Sequence, residues 1–357
     1  MTVQPRVTRL SAPPRLSSVL ARGACTSAAK RGPYEGARLP QERLVLPGAG
    51  TDRRHLRAYA RVCGFPEPGE GTPLPPSWPH VLGFPLAMRL MAGRDFPFPL
   101  LGLVHTGIEL TQQRALDAED RPEISVHAEH LEPHRRGTQF DVVTEARLGE
   151  RLVWHSRSTY LCRHGGSSRQ DRGADGSRGS GTDGGGSDGS GSDGGGSDGS
   201  GSDGSGRRPE PPAPLPVHDH WRLPSALGRR YASASGDRNP IHLHPLTAKL
   251  FGFPRHIAHG MWTFARALAA AGAAEGGEQL SARAEFKAPV LLPSTVAFGL
   301  DEPTASTGSY RAPVRVHRFE LRRGGGEGEG PGRLHLTGEV TSEHLPSSGP
   351  GRSSRSS

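Results

Sequence analysis

Residues 231–261 read YASASGDRNPIHLHPLTAKLFGFPRHIAHGM and hold the densest group of chemically specific residues in the chain. The run GDRNP within it is made of turn formers, whose side chains bond to local backbone, so it predicts a fixed loop between helices. Across such a loop, Asp237 and His242 can face one water molecule, the arrangement that general acid–base chemistry requires. The stretch therefore predicts a proton-transfer pair.

Histidine suits this role because its ordinary pKa, about 6.5, lies near neutrality, and a neighbouring carboxylate can orient the ring. The spacing leaves a structural alternative open. Asp237 could cap the turn or the helix that begins near Leu246, while His242 satisfies a buried backbone carbonyl. The loop pattern alone does not decide between the two interpretations.

The same stretch resembles the motif of the MaoC-type, hydratase-2 hotdog enzymes. That motif holds an aromatic residue, a small residue, the run Gly-Asp-x-Asn-Pro-aliphatic-His, and an Ala or Ser after five more residues. The matching residues here are Tyr231, Ser235, Gly236, Asp237, Asn239, Pro240, Ile241, His242 and Ala248. The runs IAHGM at 257–261 and FKAPVLLP at 286–293 extend the resemblance.

The resemblance implies the addition of water to a trans-2-enoyl thioester, giving an (R)-3-hydroxyacyl thioester, or the reverse dehydration, in fatty-acid metabolism. In such an enoyl-CoA hydratase or 3-hydroxyacyl-carrier-protein dehydratase, Asp237 and His242 would hold and activate the water. Gly260, where a long helix should begin, would offer its backbone N–H to the thioester oxyanion. The expected substrate-binding residues are Tyr231, Ser235 and Asn239. No metal or other cofactor is needed, and the expected partner is an acyl-CoA or acyl carrier protein thioester.

A short internal repeat indicates two diverged copies. Residues 59–64 (YARVCG) match residues 231–236 (YASASG) at a constant offset of 172. After the shared glycine the copies differ, because Phe65 stands where the second copy has Asp237. An apolar side chain cannot activate water, so we expect catalysis from the second copy and an acyl-chain wall from the first. The expected wall residues are Phe84, Leu86 and Met88.

Each half shows helical patterns followed by strand patterns, which predicts an α+β fold. The expected helices cover residues 53–63, 84–91, 224–232, 246–251 and 260–271. The expected strands cover residues 104–110, 124–131, 139–148, 152–162, 282–288, 295–300, 314–321 and 334–343. With the resemblance, this order predicts a double hotdog, in which each copy packs a long helix on an antiparallel sheet.

A segment between the copies has an unusual composition. Residues 165–206 hold 18 of the 50 glycines and, apart from Ala174, no apolar residue. Such a segment cannot bury enough apolar surface to offset its ordering entropy, which predicts a flexible linker. The predicted division is a basic flexible tail at 1–39, a degenerate hotdog at 40–164, the linker at 165–212, a catalytic hotdog at 213–343 and a disordered tail at 344–357.

The basic character of the chain does not point to nucleic acid. The net charge is +8, but the 44 basic residues include only three lysines, and the arginines are scattered among acids. No apolar run is long enough to span a membrane. Three widely spaced cysteines form no disulfide or zinc pattern, so we expect a reducing cytoplasm. A transit peptide at residues 1–34, which lack acids, stays open beside the basic tail, as does assembly into a homo-oligomer.

Other candidates for chemistry have weaker patterns. His127, His130 and His134 suggest a metal site, but the first two lie three residues apart on an expected strand and should face opposite sides. His244 has no further ligand at suitable spacing, and Ser235 lacks a nucleophile elbow. Two alternatives to a hydratase remain: a non-catalytic acyl-thioester-binding protein and a thioesterase.

Overall fold

In each half of the chain the main helices precede a run of antiparallel strands, as the sequence predicts. The computed structural model describes residues 5–30, 32, 34, 36–164, 213–273, 279–306, 314–325 and 331–343. The first half contains β1 (Arg6–Arg9), α1 (Leu16–Ala29), β2 (Glu42–Leu46), α2 (Arg53–Cys63), α3 (Trp78–Met91), β3 (Leu103–Gln112), β4 (Glu123–His134), β5 (Gly137–Leu148) and β6 (Arg151–Arg163). The second contains β7 (Val217–Leu223), α4 (Leu227–Ser235), α5 (Pro240–Leu243), α6 (Pro245–Leu250), α7 (Gly260–Ala270), β8 (Gln279–Phe286), β9 (Ser294–Leu300), β10 (Thr304–Ser306), β11 (Val314–Arg323) and β12 (Leu334–Glu343).

The strands of both halves form one continuous sheet. Its order is β1-β2-β4-β5-β6-β3-β8-β12-β11-β9-β7, with β10 paired to β11. The halves meet where β3 pairs antiparallel with β8, from Gly107 opposite Glu285 to Gln112 opposite Leu280. The long helix α3 packs on β2, β4 and β5, and α7 packs on β12. The protein is therefore an α+β double hotdog, as predicted.

The repeated motif places α2 and α4 side by side. Both helices end at a glycine in the left-handed conformation, Gly64 at φ 78° and Gly236 at φ 82°, which side chains with a Cβ rarely adopt. One turn earlier, the rings of Tyr59 and Tyr231 lie 5.9 Å apart. Residues that are 172 positions apart in the sequence thus occupy equivalent positions in the two copies, and these positions meet where α2 and α4 lie side by side.

The N-terminal segment corrects one prediction. A loosely ordered tail was expected over residues 1–39, but β1 pairs parallel with β2, and α1 packs against α3. Val19 and Gly23 are buried in this contact. Only three of its fourteen residues, Leu16, Val19 and Leu20, are large and apolar, so its order comes from tertiary burial that its own sequence does not reveal. The predicted linker at 165–212 and tail at 344–357 lie outside the described residues.

Several observed elements differ in length from the predicted ones. Helix α3 begins at Trp78, a turn and a half before the expected start, with Pro79 in its first turn where a missing N–H has no consequence. Strands β2 and β7 were not predicted. Strand β7 reads VHDHWRL, and its polar residues obscure the strand pattern although Trp221 and Leu223 are buried. None of the helices described is long and apolar enough to cross a membrane.

Candidate active site

A chain of local hydrogen bonds fixes the loop after α4. The Ser235 hydroxyl donates to the carbonyl of Tyr231 (2.9 Å) and accepts from the N–H of Asp237 (3.2 Å). Asp237 Oδ1 in turn accepts from the N–H of Asn239 (3.1 Å). The Asn239 side chain caps α5 by accepting from the N–H of Ile241 (3.4 Å). These bonds occupy Asp237 Oδ1 and leave Oδ2 for other partners.

The buried ring of His242 is oriented by one backbone bond. Its Nδ1 lies 2.8 Å from the carbonyl oxygen of Ile257. Because a carbonyl only accepts, Nδ1 carries the hydrogen in the neutral ring and Nε2 keeps a lone pair. Gly228 makes the position possible: a Cβ there would lie 2.0 Å from the carbonyl oxygen of His242.

His259 is a third polar member of the site that the sequence analysis did not assign. Its ring stacks on His242 with centroids 3.7 Å apart, and Nε2 lies 3.0 Å from the carbonyl oxygen of Asp237 and 3.8 Å from Oδ2. The Nε2–H therefore donates to Asp237, while the buried Nδ1 has no hydrogen-bond partner among the described residues. Its position just before Gly260, in the run IAHGM, was the available signal.

The three polar side chains converge on a small volume. One donor or acceptor atom from each of Asp237, His242 and His259 lies within 4.8 Å of the others. A single water with hydrogen bonds of about 2.8 Å can bridge two groups about 4.6 Å apart. These are also the residues that could hold a metal ion, through one carboxylate oxygen and one nitrogen of each ring.

Burial sets the protonation of this group. It raises the pKa of Asp237 above its ordinary value, although His242 and the N–H of Asn239 partly offset the effect. Burial also lowers the pKa of His242 to about 3, aided by neighbouring His259 and opposed by Asp237. The pKa of His259 falls to about 4 for the same principal reason. Both imidazoles are therefore neutral at physiological pH, which leaves Nε2 of His242 free to accept a proton.

Gly260 lies at the N-terminus of α7, as predicted. The carbonyl of the preceding His259 accepts from the N–H groups of Trp262 (3.1 Å) and Thr263 (3.2 Å). The N–H groups of Gly260 and Met261 thus have no acceptor inside the helix and lie at its positive end. A Cβ at position 260 would lie 3.1 Å from the ring of Phe286, so a glycine keeps this amide approachable.

All six predicted site residues line one cavity of about 620 Å³, which both copies enclose. They are joined there by His259. The first copy contributes one stripe of α3 at helical spacing: His80, Phe84, Met88 and Met91. Phe84 and Met88 thus line the cavity as the expected wall residues, but the prediction that Leu86 belongs to this wall was wrong. It is fully buried on another face of α3 and belongs to the core.

The cavity lining contributed by the first copy includes the buried histidines His80 and His105. His105 stacks on Tyr160 with ring centroids 4.7 Å apart and lies 4.9 Å from the ring of Phe286. Burial lowers the pKa of His105 to about 3 and that of His80 to about 4. The part of the lining that the first copy contributes is therefore mixed, with neutral imidazoles beside apolar side chains.

The other histidine candidates have local roles. His127 bonds Glu129 at 3.2 Å, and His130 lies 3.2 Å from Asp141. The expectation that these histidines face opposite sides was wrong, because a β-bulge with His130 at φ 53° turns this ring towards Glu129, with 4.0 Å between them. His244 caps α6 by accepting from the N–H of Leu246.

Fold and site together define a double-hotdog protein with an acid–histidine group in a cavity of mixed polar and apolar lining. The family model described as MaoC like domain matches residues 204–305. The 3-hydroxyacyl-thioester dehydratase X of Mycobacterium tuberculosis is 33% identical over 264 residues, which are 74% of this chain and 81% of that protein. The chain therefore belongs to the MaoC-like dehydratase family.

Solved structures agree with this assignment. The crystal structure of HtdX from Mycobacterium tuberculosis is similar with a TM-score of 0.59 at 30% identity, covering 84% of this chain and 98% of that one. A MaoC-like dehydratase from Phytophthora capsici, 17% identical, reaches a TM-score of 0.58 over 88% of this chain and 98% of its own. The second likeness supports the fold alone.

Proposed function

We propose that this protein catalyses the reversible hydration of trans-2-enoyl thioesters to (R)-3-hydroxyacyl thioesters in fatty-acid metabolism. The observation that carries the proposal is the juxtaposition of Asp237 and His242, within the reach of one water, with the exposed amide end of α7 in the same cavity. A dehydratase name for the relative in Mycobacterium tuberculosis supports the same reaction class.

The proposed mechanism assigns each group one task. Asp237 Oδ2 and His242 Nε2 hold the water, and Nε2 accepts one of its protons as the oxygen attacks C3. The π electrons move towards the thioester, where the N–H of Gly260 stabilises the developing oxyanion. The imidazolium then returns the proton to C2, so that one water has been added across the double bond. His259 holds the Asp237 backbone in place.

The carrier is proposed to be a phosphopantetheine thioester. Arg135 and Arg163 lie at the cavity and supply positive charge that suits the phosphates of coenzyme A or of an acyl carrier protein, whereas Lys287 there is paired with Glu285. Both carriers share the pantetheine arm that would enter the cavity. Parallel assays with crotonyl-CoA and crotonyl-carrier protein would distinguish an enoyl-CoA hydratase from a carrier-protein dehydratase.

The test of the reaction is direct. Incubation with crotonyl-CoA should remove the absorbance of the conjugated thioester without releasing free thiol. Release of thiol would indicate a thioesterase, and binding without either change would indicate an acyl-thioester-binding protein. We favour a hydratase over both the thioesterase and the acyl-thioester-binding protein, because the site offers a proton acceptor for water. In the described part of the chain, no side chain of the cavity lies in a nucleophile elbow.

We further propose a cytoplasmic location, which rests on the reduced state of the cysteines. Cys63 and Cys162 are buried as free thiols and Cys25 is exposed. An exposed thiol is best preserved in a reducing compartment.

A further inference from the structure

Helix α1 connects the catalytic loop of the second copy to the far end of α3 in the first. At its beginning, the Leu16 side chain lies so close to Gly236 that a Cβ there would be 2.5 Å from Leu16 Cδ1. Seven residues later, Gly23 packs against Ala92 and Leu100. Seven residues of α-helix span about 10 Å, so α1 runs along the cavity from the residue before Asp237 to the loop after α3.

The C-terminal end of α1 is also fixed to the first copy. Lys30 Nζ donates to the carbonyl oxygen of Gly93 at 2.7 Å, and the Ser27 hydroxyl accepts from the N–H of Leu101 at 3.2 Å. Together with the Leu16 contact at the other end, these bonds hold the helix at both ends. Its central part therefore has a defined position over the cavity.

Leu20 is the residue of this helix that enters the cavity lining. It lies between the Leu16 contact and the Gly23 contact, on the same side of the helix, and is half-buried. It shares the lining with Met91 and Leu100, both apolar. In contrast, the neighbouring Ala21 points to solvent.

We propose that Leu20 forms part of the acyl-binding wall and determines the longest acyl chain that the enzyme accepts. The inference rests on the proposed position of the reacting carbons at Asp237 and His242. From there, the α3 residues that line the cavity supply an apolar path for the acyl chain, and Leu20 of α1 closes the side of this path. Since the wall belongs to a segment outside both hotdog copies, chain-length preference can change without any change in the catalytic loop.

Two substitutions of opposite volume test the proposal. Leu20→Ala should raise kcat/KM for longer enoyl chains relative to crotonyl thioester, by about fourfold for each further methylene that becomes buried. Leu20→Phe should lower the values for long chains more steeply than the value for crotonyl thioester. The measurement is kcat/KM for a series of enoyl thioesters from four to twelve carbons.

Ala21→Trp is the matched control, because it adds bulk to the same helix on its exposed face and should leave the chain-length profile unchanged. Thermal unfolding identifies any variant that fails to fold, and Leu20→Met then supplies a volume-conserving replacement. An unchanged profile, or a uniform fall at every length in a folded variant, would overturn the proposal. Failure of the proposed reaction itself is distinguishable, since the wild-type protein would then hydrate no member of the series.

Discussion

The imidazole rings of His242 and His259 are stacked with centroids 3.7 Å apart and planes inclined by 25°. Burial is the main cause of the lowered pKa of both rings, and the neighbouring His259 lowers the pKa of His242 further. Each ring also donates to a backbone carbonyl, His242 to Ile257 and His259 to Asp237. The site therefore holds a neutral imidazole pair beside one carboxyl group.

The first prediction concerns the two groups that hold the water. Asp237→Asn keeps an oxygen that can accept from the N–H of Asn239 but removes the carboxylate, and His242→Ala removes the proton acceptor. Each should lower kcat for hydration by about 10²- to 10⁴-fold, the range for a positioned acid or base. Enoyl-thioester absorbance measures the rate. Near-wild-type turnover in a stably folded variant would show that the assignment is wrong.

His259 is predicted to act as a positioning residue. His259→Phe keeps a ring on His242 but loses the donor to the Asp237 carbonyl, so kcat should fall about tenfold, the value of one hydrogen bond. His259→Gln offers an amide donor and should recover part of the rate. Removing the second imidazole should also raise the pKa of His242 and move the acid limb of the pH–rate profile upward. Equal loss in both variants with an unmoved limb would indicate a purely structural role.

The role of the Gly260 N–H in stabilising the oxyanion can be tested with two substitutions that both add a side-chain carbon at this position. Gly260→Ala adds a Cβ near Phe286 but keeps the N–H, whereas Gly260→Pro adds carbon and removes the N–H. Proline is tolerated in the first turn of a helix, and His259 already has φ −68° and ψ 136°, the conformation favoured before proline. Proline should therefore lower kcat about 10²- to 10³-fold more than alanine. Similar rates in the two variants would exclude an oxyanion role for this amide.

Acid should destabilise the fold through its buried histidines. The folded-state pKa values of His80 and His105 lie at about 4 and 3, below the ordinary 6.5, so the unfolded chain binds more protons in between. Their contribution to stability is complete above pH 6.5 and falls by up to about 1.4 kcal/mol per pH unit for each ring as the pH drops towards 4. Protonation of Asp237, whose pKa is raised, acts in the opposite direction.

The measurement is the free energy of unfolding in urea at pH 7, 6 and 5. His80→Gln should reduce the dependence of this free energy on pH by about one proton. A slope unaffected by His80→Gln would mean that this ring is already charged or solvated in the folded protein.

The sequence predicted the helices and strands whose apolar residues follow a clear period, including α2 over residues 53–63 and α7 with its start at Gly260. It missed α1 and β7, because their order depends on partners elsewhere in the chain. His259 also escaped assignment, since a histidine before a helix has many local uses. Only the fold reveals that its ring lies against His242 and its Nε2 against the Asp237 carbonyl.

The two sequence interpretations of the catalytic loop prove compatible in the structure. Asp237 does cap a turn, through Oδ1, and His242 does bond a buried carbonyl, through Nδ1. Each residue has a second polar atom, and the local bond orients that atom. Spacing along the chain could not reveal that one polar atom of each side chain bonds to backbone while the other stays available. That depends on which atom of each side chain faces the backbone.

The joint between the copies has a consequence for the integrity of the chain. Beyond the β3–β8 pairing, the Trp262 indole N–H donates to the carbonyl oxygen of Val62 at 2.8 Å, across 200 residues of sequence. These contacts do not depend on the covalent connection between the halves. Limited proteolysis within residues 165–212 should therefore leave a nicked enzyme, whose two fragments separate in denaturant but co-elute as one active particle in buffer.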